Sequence, residues 1–230
     1  MEAKRAFCLW SGGKDSHLAF MEAQSQGYDI ALALTFFDAR TRSSLSHRLP
    51  PRVLRDQARL AGVYLQEVYV GREEYEQRLR AIMQSLAPQK INYAIFGDIH
   101  LEEHRVWNER VCNECGVTPV FPLWGWSTEV ILEKQHQFRS LIVAVETGKL
   151  HERWLGQAVD HEFHNELRSK GLDLLGEHGE YHTLVVQSPA MKGQLQVERW
   201  KKQAYDSYVG LDIQEWSVLQ SSPITQEVVV

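Results

Sequence analysis

The residues best suited to chemistry in this chain form the hexapeptide Ser-Gly-Gly-Lys-Asp-Ser at positions 11–16. An apolar run, Ala6–Trp10, precedes it and a helix-like stretch follows, so the pattern predicts a strand, a glycine turn and a helix start. Such a turn directs backbone N–H groups and the positive end of a helix at one point, which suits a phosphate group. Glycine allows close approach of an anion, lysine adds a positive charge and serine adds hydroxyl donors. The predicted phosphate contacts are Ser11, Gly12, Gly13, Lys14, Asp15 and Ser16.

This hexapeptide differs from a Walker A loop, which requires Gly-x-x-x-x-Gly-Lys-Ser/Thr. Cys8 stands where the first glycine is needed, and Asp15 follows the lysine where a hydroxyl is needed. The string instead resembles the PP-loop of the ATP pyrophosphatases, which holds the β- and γ-phosphates of ATP. That resemblance implies cleavage of ATP between the α- and β-phosphates, with AMP and pyrophosphate as products.

The bulk composition is that of an ordinary globular protein. The chain has 230 residues, of which 43% are hydrophobic and 24% charged, enough for one large domain or two small ones. No signal peptide or transmembrane span can be drawn, so no membrane partner is expected. Three cysteines are too few for a disulfide framework, which favours a cytoplasmic location. The net charge of −5 argues against nucleic acid as the main partner.

Positive charge is nevertheless concentrated between residues 40 and 59, where six arginines stand against a single aspartate. One interpretation is a solvated loop and helix face. The other is a lid over a triphosphate, or a landing patch for an acidic macromolecule. The loop from Asp38 to Pro51 is long for a compact domain, and loops of this length are often lids.

Apolar runs alternate with helical patterns through the first half of the chain. The runs are Ala6–Trp10, Ile30–Phe37, Val63–Val70, Tyr93–Ile99 and Val117–Leu123, and the helical patterns are Asp15–Gln26, Val53–Ala61, Tyr75–Leu86 and Glu102–Cys115. This alternation predicts an α/β fold with a doubly wound parallel five-stranded sheet. A ligand of such a sheet lies beyond the carboxyl ends of the strands. Besides residues 11–16, the predicted site walls are therefore Phe37 with Asp38, and Gly97 with Asp98.

The alternation stops near Trp124, so we expect a nucleotide-binding domain over residues 1–124 and a smaller α+β domain over residues 125–230. Helices are predicted at about 128–138 and 160–170, and strands at about 141–145 and within 184–186 and 195–219. The tail after Leu219 is expected to be loose.

The whole set of motifs resembles the diphthine–ammonia ligase family, the ATP-binding branch of the N-type ATP pyrophosphatases. The matching strings run in family order: Trp10–Ser16, Phe96–Ile99, Pro122–Gly125, Trp154–Gly156, and Gly-Glu-His-Gly-Glu-Tyr-His-Thr at residues 176–183. The last string is the most specific to this branch, because a PP-loop alone is shared with many relatives. The resemblance covers most of the chain, which looks like the short, stand-alone form.

The resemblance implies an adenine nucleotide alpha hydrolase-like domain joined to a smaller domain that carries the second glycine–glutamate string. The implied reaction is ATP-dependent amide formation: a carboxylate is adenylated, and ammonia then displaces AMP. ATP and Mg²⁺ are the implied cofactors, and ammonia and a carboxylate acceptor, in the named reaction diphthine on a translation elongation factor, are the implied partners. The acceptor and the oligomeric state stay open, with a homodimer as one option.

Adenylation must neutralise phosphate charge, and the second step must remove a proton from ammonium. We expect Lys14 to supply positive charge and Asp15 and Asp98 to contact Mg²⁺. For the ammonia step the candidates are Glu177, Glu180 and His182, and Glu180 ranks first because it lies in the most family-specific string.

Two further motifs have the spacing of metal or redox sites, and two other functions are possible for a chain with this loop. His100-Leu-Glu-Glu-His104 fits a zinc pattern but lacks an identifiable third ligand, and Cys112-Asn-Glu-Cys115 falls at the end of a predicted helix, where no dipole lowers a thiol pKa. The alternative functions are a tRNA-modifying PP-loop enzyme, which the arginine cluster favours slightly, and a non-catalytic adenine-nucleotide sensor.

Overall fold

A computed structural model describes residues 3–71 and 73–220 of the chain. The first half contains, in order, β1 (Lys4–Leu9), α1 (Lys14–Ser25), β2 (Tyr28–Asp38), α2 (Pro51–Leu60), β3 (Leu65–Val70), α3 (Tyr75–Leu86), β4 (Tyr93–Ile95), α4 (Glu102–Glu114) and β5 (Thr118–Val120). The five strands form a parallel sheet in the order β3-β2-β1-β4-β5. The predicted doubly wound, five-stranded parallel sheet is therefore confirmed.

Both faces of this sheet are covered by helices, because its strands are apolar on both sides. Successive residues of β1 alternate between two hydrophobic clusters: Ala6 and Cys8 belong to one, and Phe7 to the other. Helices α1 and α2 pack in the first cluster, and α3 and α4 in the second. The glycines expected to end three helices, Gly27, Gly62 and Gly116, all have positive φ.

The last two strands are shorter than the apolar runs that predicted them. Strand β4 has three residues; Phe96 N still donates to Val120 O in β5 (3.0 Å), and at Gly97 the chain passes beside the start of α1. Strand β5 also has three residues, and Pro119 at its centre has no N–H to donate, which suits an edge strand.

The strand order puts the crevice of the sheet between β1 and β4, whose following segments diverge to opposite faces. Residues 11–16 follow β1 at this point, and Gly97 and Asp98 follow β4. The topology thus brings together two of the three predicted site walls.

The second half is a smaller α+β unit, as predicted. It contains α5 (Thr128–Gln135), β6 (Arg139–Glu146), α6 (His161–Ser169), β7 (Tyr181–Gln187), β8 (Gly193–Tyr205) and β9 (Tyr208–Gln220), and its strands close into an antiparallel barrel, β6-β7-β8-β9. Two short 3₁₀ helices, Ala87–Gln89 and Glu152–Trp154, complete the described elements.

The barrel packs directly on the α1/α2 face of the sheet, and the first hydrophobic cluster runs without a break from β1 into β6 and β7. Val185 N in β7 donates to Gly12 O (2.9 Å), and Trp216 Nε1 in β9 donates to Asp56 Oδ2 in α2 (2.9 Å). The proposed division at residue 124 stays a prediction, and of the tail predicted to be loose, residues 221–230 lie outside the described residues. Over the described ranges, none of the helices combines the length and the apolar character needed to cross a bilayer.

Candidate functional site

A cavity of about 530 Å³ opens at the carboxyl ends of β1, β2 and β4. It is lined by Leu9, Trp10, Ser11, Asp15, Ser16, Leu34, Thr35, Phe36, Ser44, Leu45, Ser46, His47, Tyr75, Phe96, Gly97, Asp98, His104, Trp107, Asn108 and Glu177. One part of this lining is apolar and aromatic, and the other is made of hydroxyls and carboxylates. A flat apolar group and a charged group can therefore be held side by side.

The hydroxyls of the loop over residues 11–16 lie at the polar end of the cavity. Ser11 Oγ is 2.9 Å from Ser16 Oγ and accepts a hydrogen bond from Gly13 N (3.2 Å). Gly12 has a φ of +84°, which lets the chain turn sharply after β1. Gly13 lies under the ring of His47, which would collide with any Cβ there. The turn geometry that the sequence predicted is thus present.

Lys14 is placed differently from the prediction. It is 4% exposed and does not line the cavity. Its Nζ contacts both carboxylate oxygens of Asp15 (2.7 and 2.9 Å) and the carbonyl of Leu175. Burial on its own lowers the pKa of Lys14, but the Asp15 carboxylate together with Tyr181 and Glu177 more than offsets this, and the pKa is raised. Lys14 is therefore a buried cation beneath the site that ties α1 to the chain before β7.

Gly97 explains how β4 can approach the loop so closely. A Cβ at this position would lie 2.9 Å from Ser16 N and 3.0 Å from the carbonyl carbon of Asp15. Because these neighbours are backbone atoms, they cannot rotate away as a side chain can. Gly97 and Asp98 both line the cavity, as the sequence predicted for this strand end.

Phe37 and Asp38 lie outside the cavity. Phe37 is fully buried and stacks on Tyr69, with 5.4 Å between ring centroids. Asp38 accepts N–H bonds from Thr41 and Arg40 (2.8 and 2.7 Å), and these bonds lower its pKa. Phe36 and Phe37 point to opposite faces of the sheet, and Phe37 is buried in the α1/α2 cluster. Of β2, the cavity is lined by Leu34, Thr35 and Phe36.

Three carboxylates converge on the polar end: Asp15, Asp98 and Glu177 all line the cavity. Burial raises the pKa of Glu177, and the nearby Asp15 charge raises it further. Burial likewise raises the pKa of Asp98. One Glu177 oxygen accepts from His100 N (3.2 Å). The Lys14 ammonium balances Asp15, while Asp98 and Glu177 repel each other, so a bound cation or a proton is favoured beside them.

Glu180 and His182 do not line the cavity. Glu180 is 3% exposed; one oxygen lies 3.6 Å from Lys149 Nζ, and the other, Oε2, has no hydrogen-bond partner within residues 3–71 and 73–220. Of the two glutamates in the string at 176–183, Glu177 therefore contacts the cavity, although the sequence ranked Glu180 first.

The ring of His182 stacks between His47 and Tyr208, with centroid distances of 4.8 and 5.2 Å. Burial lowers the pKa of His182 to about 3 and that of His47 to about 4, so both rings are neutral at pH 7. His47 Nδ1 donates to Thr183 O (2.9 Å), which leaves the lone pair on Nε2. The pKa of His182 is thus far below neutral pH, so His182 does not readily take up a proton there.

Two residues at the site have contacts that the sequence did not predict. Thr183 Oγ1 accepts a hydrogen bond from Lys14 N (3.0 Å) and so joins the two glycine-containing strings. His47 lies on the long loop between Asp38 and Pro51. Residues Ser44–His47 of this loop line the cavity, which is the position expected of a lid. Sequence spacing carries no signal for the first contact, because its partners are far apart in the chain.

The arginine cluster does not form one open patch. Arg55 pairs with Glu67 (2.5 Å), Arg59 with Asp56 (3.0 Å) and Arg48 with Asp206 (3.4 Å). Part of the positive charge is therefore balanced locally, and three of the arginines are tied to different neighbours.

Neither of the metal-like motifs forms a metal site. Among the residues the structure describes, no group of three or more His, Cys, Asp or Glu side chains is arranged to hold a metal ion. His104 Nδ1 contacts Asp98 Oδ1 (3.3 Å) at the cavity, and Cys112 is buried within the α3/α4 core, where burial raises its pKa.

Comparison with known proteins identifies the family. A search of curated proteins found no match. Among solved structures, a protein from Methanocaldococcus jannaschii, described as a predicted subunit of tRNA methyltransferase, matches with a TM-score of 0.43 and 16% identity over 79% of this chain and 96% of that chain. The family model of the diphthamide synthase N-terminal domain matches residues 4–119, and that of the C-terminal domain matches residues 127–218. With its PP-loop and both domain types present in order, the chain belongs to the diphthamide synthase family of diphthine–ammonia ligases, within the PP-loop ATP pyrophosphatases.

Proposed function

We propose that this chain is an ATP-dependent amide ligase that adenylates a carboxylate and then aminates it with ammonia. In the first step a carboxylate oxygen attacks the α-phosphorus of ATP and pyrophosphate leaves. In the second step ammonia attacks the acyl carbon, AMP leaves, and one proton is released. The acceptor that the family name suggests is the carboxylate of diphthine on a translation elongation factor.

The observation that carries this proposal is the direct contact between the two strings beside the cavity. Lys14 N donates to Thr183 Oγ1 (3.0 Å) in the buried layer behind the cavity, and Ser11 and Glu177, from the two strings, both line it. An enzyme that only hydrolysed ATP would have no need for a second string at the nucleotide. A ligase must hold its second and third reactants beside the phosphate that is attacked.

The lining supports a division of labour within the cavity. The aromatic wall of Phe36, Tyr75 and Trp107 suits an adenine ring. The hydroxyls of Ser11 and Ser16 suit phosphate oxygens. This arrangement leaves the carboxylate end, near Glu177, for the acceptor and ammonia.

Of the two predicted Mg²⁺ ligands, Asp98 fits better than Asp15. Both oxygens of Asp15 contact Lys14, and one also accepts from Gln135 (2.8 Å). The side-chain contacts of Asp98 to His104 and to Asn108 are longer, 3.3 Å each. Mg²⁺ is usually held by one or two carboxylates together with phosphate oxygens, and when bound it would neutralise phosphate charge. Asp98 is the residue that would hold it.

For the ammonia step we assign the proton-accepting role to Glu177. It lines the cavity, and its pKa is raised above that of an ordinary glutamate, toward pH 7. Glu177→Gln keeps the shape and removes the base, so ammonia-dependent turnover should fall by about 100-fold or more while the affinity for ATP changes little. Steady-state kinetics with ammonia as the varied substrate, alongside ATP titrations, measure both quantities.

Glu180→Gln is the matched control for this assignment. Its carboxylate is buried with one unpartnered oxygen, so neutralising it should leave turnover unchanged and leave stability unchanged or slightly higher. If Glu180→Gln abolishes turnover and Glu177→Gln does not, the roles are the reverse of those assigned here.

Product analysis with α-labelled ATP tests the reaction class. We expect AMP and pyrophosphate in the presence of ammonia and a suitable carboxylate. Release of ADP and inorganic phosphate would overturn the ligase proposal.

A further inference from the structure

Gln57 in α2 is a fully buried polar side chain that contacts the PP-loop on the side away from the cavity. It is 0% exposed and lies in neither catalytic string. Its Nε2 donates to Gly12 O (2.9 Å) and to Val185 O (2.6 Å), and its Oε1 accepts from Trp10 Nε1 (2.8 Å). All three polar groups that it contacts belong to the loop, the strand before it, or the barrel strand beside it.

The orientation of this amide follows from the chemistry of its partners. An indole N–H can only donate, and a carbonyl can only accept. The oxygen of Gln57 must therefore face Trp10, and its NH₂ group must face the carbonyls of Gly12 and Val185. Every hydrogen-bonding atom of the amide except one lone pair of the oxygen is then used, so the side chain has one favourable arrangement.

This arrangement fixes the direction of the peptide group between Gly12 and Gly13. Gly12 O accepts from both Gln57 Nε2 and Val185 N, so the carbonyl points away from the cavity. In a planar trans peptide the following N–H points the opposite way. Gly13 N accordingly donates toward Ser11 Oγ (3.2 Å), and Ser11 lines the cavity.

The packing around Gly12 leaves the loop little other choice. Gly12 has a φ of +84°, and a Cβ there would collide with Leu54 and lie 3.2 Å from Gln57 Oε1. A flipped peptide would turn the carbonyl toward the anion site and leave the Gln57 donor unsatisfied in a buried position.

We propose that Gln57 is a positioning residue that orients the Gly12–Gly13 peptide so that its N–H group holds the Ser11 hydroxyl at the end of the cavity where the outer phosphates of the nucleotide bind. The inference rests on the proposed binding of ATP at this loop. Gln57 touches no reactant; it acts through the peptide that it holds.

The test compares ATP with adenosine, which has the same base and sugar but no phosphate. Gln57→Met keeps a side chain of similar length and removes all three hydrogen bonds. Calorimetric titration should show that ATP binds about 10- to 100-fold more weakly to this variant, the effect of a lost charge-assisted hydrogen bond, while adenosine binds as before. Leu86→Ala, in the α3/α4 core, is the control for general destabilisation and should leave the ATP-to-adenosine affinity ratio unchanged.

Three outcomes count against the proposal. A Gln57→Met protein that keeps the wild-type preference for ATP over adenosine overturns the role of Gln57 and leaves the proposed function standing. Equal weakening of both ligands shows that Gln57 is merely structural. A wild-type protein that binds ATP no better than adenosine removes the ATP site itself, and the proposed function falls with it. If Gln57→Met does not fold, Gln57→Glu is measured in the same way, because an ionised carboxylate accepts from Trp10 but cannot donate to Gly12.

Discussion

The two glycine-containing strings, at residues 11–16 and 176–183, differ in how far their polar groups are satisfied. In the loop at 11–16, the hydroxyls of Ser11 and Ser16, the amides of Gly13 and Lys14 and the Lys14 ammonium all have partners within the protein. In the string at 176–183, Glu180 keeps a buried oxygen with no hydrogen-bond partner among the described residues, and His182 is held neutral.

The loop at 11–16 is therefore fixed in shape by internal hydrogen bonds before a ligand arrives, so little ordering is needed on binding. The string at 176–183 buries a carboxylate oxygen without a partner, at a cost in stability. ATP binding should therefore respond most to changes in the packing of the loop, and stability should respond to the protonation of groups in and beside the string.

The largest effect on ATP binding is expected at Gly97, where the backbone packs most closely against the loop. In Gly97→Ala the new methyl group would press on the backbone of Asp15 and Ser16, so the loop must move by a few tenths of an ångström or more. We expect ATP affinity to fall by about 100-fold and the free energy of unfolding to drop by about 1–3 kcal/mol, as for other overpacked sites. Calorimetry with ATP and urea unfolding measure the two quantities.

The matched control for Gly97→Ala is Gly148→Ala, because nothing lies within 4 Å of a Cβ at Gly148. That variant should bind ATP as the wild type does. An unaltered ATP affinity in Gly97→Ala would mean that the loop is not rigid.

A further effect is expected when pH is lowered, and it should come from buried histidines. His182 lies in the string at 176–183, His47 stacks on it from the long loop, and burial also lowers the pKa of His17 and of His164 to about 4. The folded protein holds His47 and His182 at pKa values of about 4 and about 3, below the ordinary value of 6.5. The unfolded chain therefore takes up these protons first as the pH falls. Their stabilising contribution is complete above about pH 6.5 and is lost progressively toward pH 4, at about 1.4 kcal/mol per pH unit for each histidine.

The raised pKa values of Asp98 and Glu177 act in the opposite direction and reduce this slope. His47→Asn keeps a donor for Thr183 O but cannot titrate, so its unfolding free energy should depend less steeply on pH between 6.5 and 4. Urea unfolding across this range makes the comparison, and identical slopes for variant and wild type would contradict it.

The smallest effect is expected at the outer contact between the long loop and the β8–β9 hairpin. Arg48 lies 3.4 Å from Asp206 and over the ring of Tyr205 (5.1 Å), at a partly exposed site. Arg48→Ala should lower the unfolding free energy by about 0.5–1 kcal/mol, and less at high salt. Arg52→Ala, at an exposed position of α2, is the control, and thermal unfolding at two ionic strengths distinguishes them.

Most of the sheet and the loop could be predicted from the sequence, while the membership of the site could be predicted only in part. Strand and helix patterns depend on neighbours a few residues apart, so they are visible in the chain. How far along β2 the cavity extends depends on tertiary packing, so the prediction included Phe37 and Asp38 where the structure has Leu34, Thr35 and Phe36. Lys14 was expected among phosphates because lysine often binds them, but its burial beside Asp15 is a tertiary contact.

By itself, the sequence determined the parallel α/β sheet, the glycine turn after its first strand and the family, because each of these is encoded in contiguous residues. Only the tertiary structure decided that Glu177 and not Glu180 reaches the cavity, and that Gln57 holds the loop. The physical reason is distance along the chain: the partners of Gln57 lie at positions 10, 12 and 185, and the barrel must pack on the sheet before their hydrogen bonds can form.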